Sequence, residues 1–281
     1  MSIIEAIILG LLQGLSEFIP ISSTAHLTIA GMMMGLIDPN HPEQWTSFIA
    51  VIQLGTLAAV FIYFSKEIKE IPRDYILENF SGQRKKFKEQ SLNSRMGWYI
   101  ILGSVPIVVI GLAMKKIIEG GFTKDPLVIA SSLIGLAIIL FIAERVAKFN
   151  KDMTKIRMKD SLLIGLSQCL ALIPGSSRSG TTITAGLFLG FDRETAARFS
   201  FLLSIPAIFG SGLYAFYKSL DYITQDSMIT LAVATVVSGI SGYYAIAFLI
   251  KFLKTRSTML FIVYRIVLGI LIFVLVLGKF I

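Results

Sequence analysis

Cysteine occurs once in this 281-residue sequence, histidine twice, and charged side chains make up only 16% of it. The lone Cys169 cannot close an internal disulfide, so cysteine usage says nothing about redox compartment. Met1 to Ile4 carries no basic n-region, and the first apolar stretch contains Glu5, Gln13, Glu17 and Pro20. A cleavable signal peptide is therefore not expected. A dispersed basic surface of the kind nucleic acid would meet is also missing, although the net charge is +8. The cations concentrate in three short stretches: Lys66, Lys69, Arg73, Arg84, Lys85, Lys86, Lys88 and Arg95; six more at 145–159; and Lys251, Lys254 and Arg256. They lie between apolar runs and read as loop charges facing the cytoplasm by the positive-inside rule.

What is abundant is apolar: 54% of the residues are hydrophobic and the mean hydropathy is +0.75. An ordinary soluble domain with that composition would have too little polar surface to face water, so the expected solvent is a bilayer and 1–281 reads as one polytopic membrane domain. Six uninterrupted spans are predicted, at 46–64, 97–115, 127–144, 198–217, 228–250 and 257–280. Trp45, Trp98 and Tyr222 stand at segment ends, where amphipathic rings favour the membrane interface. Asp192, Arg193, Glu194 and Arg198 read as an interfacial cluster introducing the next span.

Two other apolar stretches, 3–35 and 161–190, are interrupted by Pro20-Ile21-Ser22-Ser23 and Pro174-Gly175-Ser176-Ser177. Proline ends a helix and Ser-Ser favours capping a new one, so each stretch predicts two short helices with a break inside the membrane. The breaks resemble each other: Gly10-Leu11-Leu12-Gln13 before the first recurs as Gly165-Leu166-Ser167-Gln168 before the second. With the basic loops inside, the span count closes only if 161–190 enters and leaves on the cytoplasmic side, and 3–35 is then most economically a hairpin from outside. The expected fold is all-α: an inverted-topology repeat of six transmembrane helices plus two re-entrant helical hairpins, with repeats at 1–144 and 161–281. Sites in such folds lie near the midplane at the broken helices.

Gln13 and Glu17 share a helix face before the first break; Ser22, Ser23, Thr24 and His26 follow it; Ser176, Ser177, Arg178 and Ser179 form the second. An ionisable group inside a span costs about 2.5–3.5 kcal/mol, so Glu17 and Arg178 each require a partner. The simplest use is to pair with one another as a strut, but serine caps and a histidine at the breaks exceed what a strut requires. Helix N-termini offer N–H groups and positive dipole ends to an anion, and the planar guanidinium adds bidentate phosphate recognition. Glu17 and the Gln13 carbonyl are hard oxygen ligands for Mg2+ or Ca2+, with the metal arriving largely with the substrate. Ser22 or Ser23 with His26 would supply a nucleophile and a proton carrier, with direct attack by His26 or water as alternatives. His41, in Asp38-Pro39-Asn40-His41-Pro42, reads as a loop residue.

The run from Gln13 through Glu17, Pro20, Ser22 and Ser23 to His26 resembles the first signature of the bacterial undecaprenyl-diphosphate phosphatase family associated with bacitracin resistance. Pro174-Gly175-Ser176-Ser177-Arg178-Ser179-Gly180 resembles its second. The resemblance implies a multi-pass bacterial plasma-membrane enzyme that removes the terminal phosphate of a C55 isoprenoid diphosphate and depends on a divalent cation. Its functional residues carry over as Gln13, Glu17, Ser22, Ser23, Thr24, His26, Ser177 and Arg178, with Gln13 standing where many members have Glu. Unrelated membrane phosphatases with a phosphatidic-acid phosphatase signature need a second histidine, and none follows Arg178. A lipid flippase or transporter is the competing reading, since inverted repeats with broken helices serve transport too. A site open to the outer face is expected, and a homodimer is compatible with this plan.

Overall fold

The computed structural model describes residues 1–82, 84–220 and 225–280, with the side chains of 225 and 226 left aside. Helices account for nearly all of it, and no strand occurs among the described residues. They are α1 (Ile3–Phe18), α2 (Ser23–Met33), α3 (Pro42–Tyr63), α4 (Ser65–Phe80), α5 (Leu92–Ala113), the short α6 (Lys115–Glu119), α7 (Pro126–Val146), α8 (Met158–Gln168), α9 (Arg178–Phe188), α10 (Arg193–Ser219), α11 (Gln225–Leu253) and α12 (Met259–Leu277).

Helices α3, α5, α7, α10, α11 and α12 are long and apolar enough to cross a membrane. The 22 residues of α3 rise about 33 Å at 1.5 Å each, close to the hydrocarbon thickness. These six coincide with the six expected spans. Their outer faces keep large apolar side chains such as Leu112, Val236 and Leu260 exposed, as a lipid-facing surface requires.

Helix α1 packs along α11, α11 along α3, α3 along α10, α5 along α8, and α7 along α12. Small residues permit these approaches: a Cβ on Gly165 would stand 2.1 Å from the Gly103 carbonyl oxygen, and one on Gly55 would stand 2.0 Å from the Thr235 carbonyl oxygen. Phe18, the last residue of α1, meets Phe201 edge to face at 5.1 Å and seats the first break in the largest apolar cluster.

Several readings change. Residues 66–95 form more than a basic loop, since α4 runs through the first half of them and Trp98 Nε1 donates to Asn79 Oδ1 of that helix. Trp45 opens α3 but is buried against Gly31 and Phe48, because the glycine leaves room for the ring; it is not an interfacial anchor. Tyr222 lies outside the described residues. The 192–198 charges tie elements together: Arg193 pairs with Glu144, Arg198 with Glu67, Glu194 with Lys254, and Asp192 caps α10.

Candidate active site

The two breaks are built alike. Each leading half-helix gives way before proline, where Ile19 and Ile173 are extended with ψ of 134° and 123°, the conformation that the following ring imposes. Ser22 and Ser177 then take φ of 74° and 66°, a region seldom occupied by L side chains. Capping compensates the strain: Ser22 Oγ accepts from the Ala25 N–H at 3.3 Å and Ser177 Oγ from the Gly180 N–H at 3.1 Å. The first serine of Pro-x-Ser-Ser caps α2 and the second caps α9, so both breaks open a new helix N-terminus but the second takes one more residue after its proline, with Gly175 at φ 86°.

The breaks are joined by a hydrogen-bonded cluster. Arg178 Nη2 donates to Glu17 Oε1 at 2.5 Å, while Glu17 Oε2 accepts from Gln13 Nε2 at 2.8 Å and from Ser23 Oγ at 2.7 Å. Ser179 Oγ reaches the carbonyl oxygens of Glu17 and Ile19 at 3.3 and 3.4 Å. Each charge therefore has the partner its burial demands, and the strut contact is present. A strut does not account for what remains, because Gln13 Oε1, Ser176 Oγ and Arg178 Nη1 are buried without any partner. Each such atom costs about 1–3 kcal/mol, so the cluster is incomplete by itself and is suited to a ligand rich in oxygen atoms.

A hydroxyl-to-histidine hydrogen bond does not form. Ser22 Oγ is committed as a cap and Ser23 Oγ to Glu17, whereas His26 Nδ1 lies 2.7 Å from the Ser22 carbonyl oxygen and Nε2 lies 2.6 Å from Tyr264 Oη. A carbonyl only accepts, so in the neutral imidazole Nδ1 holds the proton and Nε2 accepts from the tyrosine. Thr24 stands half-buried on the same turn and takes no part in the cluster's hydrogen bonds. His41 is an exposed residue at the start of α3, paired with Glu43 at 3.1 Å and distant from the breaks in the chain.

Gln168, read from the sequence only as the repeat's counterpart of Gln13, is fully buried with both amide atoms unpartnered. Two neighbours escaped the sequence reading. Tyr264 stacks on His26 with ring centroids 5.6 Å apart. Arg265, the next residue, is fully buried and donates to the carbonyl oxygens of Leu133, Pro20, Gly175 and Ser176. A charge inside the apolar run 257–280 was the available signal for it.

For a divalent cation, the chain's own donor set is small. No group of three or more His, Cys, Asp or Glu side chains suited to a metal converges among the described residues. The unpartnered Gln13 Oε1 and the Glu17 carboxylate are adjacent hard oxygens. That set fits a Mg2+ or Ca2+ ion whose remaining ligands are phosphate oxygens and water, and does not fit a metal held by protein alone.

Residues 6–271 match the family described as Bacitracin resistance protein BacA. The chain is 55% identical to the undecaprenyl-diphosphatase of Syntrophobacter fumaroxidans, over 96% of its own length and 95% of that protein's. It is 50% identical to the undecaprenyl-diphosphatase of Chloroherpeton thalassium, with 99% of each chain covered. With the one from Myxococcus xanthus it shares 48% identity over 98% of its own length and 89% of the other. Likeness of this extent runs from the first broken hairpin through α12, and the chain belongs to the Bacitracin resistance protein BacA family.

Proposed function

We propose that this multi-pass plasma-membrane protein is an enzyme that hydrolyses undecaprenyl diphosphate to the monophosphate and inorganic phosphate, recycling the lipid carrier of cell-wall synthesis. The observation that carries the reading is the Arg178–Glu17–Ser23 chain between two helix N-termini, with Arg178 Nη1 left unpartnered. The names of the relatives support it. Transport of a phosphorylated isoprenoid would not require a hydroxyl held on a carboxylate.

The terminal phosphate competes with Glu17 for the Arg178 fork and for the N–H groups opening α2 and α9. Glu17, freed from Arg178, takes the Ser23 proton as Ser23 Oγ forms a bond to the terminal phosphorus and the bridging P–O bond breaks. The lipid monophosphate leaves, and water then cleaves the phosphoserine, returning the serine and releasing phosphate. His26, oriented by the Ser22 carbonyl and Tyr264, is the proton carrier. Gln13 Oε1 and Glu17 would hold a divalent cation brought with the diphosphate, which would supply charge neutralisation at the phosphate oxygens. Ser176 Oγ, buried without a partner, is a further donor for the same phosphate, while Ser177 caps α9 and Ser179 ties it to the end of α1. Phosphate release by the purified protein, present with Mg2+ or Ca2+ and lost with chelator, tests the assignment; undiminished release with chelator refutes the cation, and no release under any condition refutes the enzyme.

The architecture behind this reading is two repeats of opposite topology, each a re-entrant hairpin plus three spans. Reciprocal packing supports it: α1 on α11 mirrors α8 on α5, α3 on α11 mirrors α10 on α5, and α7 pairs with its counterpart α12. Loop lengths support it too. Residues 34–41 join α2 to the start of α3, so the first hairpin opens at the end away from the basic α4 region, whereas α8 follows the basic 145–159 stretch directly. Glu17, Ser23 and His26 all hang from the first hairpin, which supports access from the outer leaflet. A homodimer would leave this internal site complete within each copy.

A further inference from the structure

Arg265 has a cation's full cost of burial and no carboxylate to meet it. Its side chain is inaccessible to solvent, and it forms none of the ion pairs found among the described residues. Its donors go instead to backbone oxygens on three separate pieces of chain: Nε to Leu133 on α7 at 3.2 Å, Nη1 to Pro20 at 3.4 Å, and Nη2 to Gly175 at 3.3 Å and Ser176 at 3.0 Å. Pro20 belongs to the first break, and Gly175 and Ser176 belong to the second. One planar fork on α12 therefore bonds both crossovers and α7 at once.

The chemistry of those acceptors gives the contact its meaning. Backbone that crosses between two half-helices inside a membrane leaves carbonyl oxygens without intrahelical partners, each a partial negative charge. Pro20 lies three residues ahead of α2, and Gly175 and Ser176 lie three and two residues ahead of α9, so these crossover carbonyls stand close in the chain to the N–H groups that open the two helices. A phosphate drawn to the N–H groups would be repelled by carbonyls turned the same way. Building on the phosphatase reading, we infer that Arg265 is a positioning residue: its guanidinium holds the carbonyls of the two crossovers away from the phosphate and fixes the register between the Ser22–Ser23 and Ser177–Arg178 turns. The resulting geometry places Ser23 and Arg178 on one phosphorus atom.

This role depends on the fork as well as the charge. A lysine ammonium has three donors on one atom and cannot span acceptors on α7 and on both crossovers, whereas the guanidinium bonds in three directions in its plane. Gly180 gives a second handle that leaves arginine in place. A Cβ there would lie 2.6 Å from Arg265 Nη1, and 3.1 and 3.2 Å from Ser177 Cβ and Oγ, so Gly180→Ala acts first on the fork, pushing it off its acceptors while altering no charge.

The experiment uses the full chain in detergent with undecaprenyl diphosphate, measuring kcat and KM separately beside the thermal unfolding midpoint of each protein. Arg265→Lys and Gly180→Ala are expected to remain folded, with kcat at least tenfold lower and KM within about threefold, because misaligned turns impair the reaction more than encounter. Arg178→Lys serves as contrast, with KM raised. Either variant, folded and within twofold of the parent in kcat, overturns the positioning role. If Arg265→Lys does not fold, Gly180→Ala alone decides, by the same two outcomes. A parent protein that releases no phosphate at all refutes the phosphatase reading instead, which separates the two failures.

Discussion

Arg178→Lys isolates the geometry of a cation from its charge. Within the cluster Nη2 holds Glu17 at 2.5 Å and Nη1 is buried with no partner, so the fork has one arm in use and one in reserve. A lysine ammonium at this position can satisfy Glu17 but has no second, rigidly oriented nitrogen to give to a phosphate oxygen. The loss is one charge-assisted hydrogen bond, worth about 1.5–3 kcal/mol, which corresponds to roughly 10- to 150-fold in kcat/KM. Folding should survive, because the buried carboxylate keeps a cation. Arg178→Ala removes that as well, and breaking a buried pair costs about 3–5 kcal/mol, so its activity must be normalised to folded protein. The assay is phosphate release from undecaprenyl diphosphate in detergent at saturating divalent cation, with midpoints of thermal unfolding for both variants. Near-normal turnover in Arg178→Lys would show that the spare nitrogen does not meet the substrate and would leave Arg178 as a strut alone.

Glu17→Gln is expected to lower turnover at least 100-fold, since it removes both the base on Ser23 and the formal charge offered to a cation, whereas Gln13→Glu should keep activity and make it depend more steeply on divalent cation. Equal tolerance at the two positions, read in the same assay, would place the metal elsewhere. Gly165→Val should cut the yield of folded protein sharply, because its side chain would meet the backbone of Gly103; a normal yield and melting point would refute the tight crossing of α5 and α8. Cysteines placed at Lys86 or Lys155 in a Cys169→Ser background should be protected from an impermeant thiol reagent in intact cells, and labelling of either would reverse the assigned orientation. Proteoliposomes of known protein orientation, given substrate in one leaflet only, should release phosphate from the outer side; release confined to the Lys86 side would place the site at the cytoplasm.

The spans and both breaks were legible because their signals are local. Apolar runs of membrane length, and proline followed by two serines, impose their structure with little help from the rest of the chain. Glu17 and Arg178 could be named as partners because an isolated charge in hydrocarbon needs one. Arg265 was hidden by the strength of its surroundings: α12 is so apolar that one arginine leaves its span character intact, and the acceptors that explain it are backbone atoms far off in sequence. The same holds for Tyr264, whose tie to His26 spans 238 residues. Ser23 was grouped with His26 by spacing alone. Both belong to α2, but the Ser23 hydroxyl goes to Glu17 at the end of α1 and the imidazole to the Ser22 carbonyl and Tyr264, partners that side-chain periodicity does not encode.

The contact between Glu17 and Arg178 also bears on how a turnover would end. An enzyme whose pocket grips phosphate tightly risks being held by its own product, since the released ion resembles the group just cleaved. Here the carboxylate that must step aside for the substrate stays tethered within reach of the same guanidinium. Its return competes with the departing phosphate intramolecularly, at an effective concentration that no dissolved anion in the cell matches. Glu17 would thereby act as a built-in eviction group, setting a ceiling on product affinity and trading some strength of substrate capture for speed of clearance.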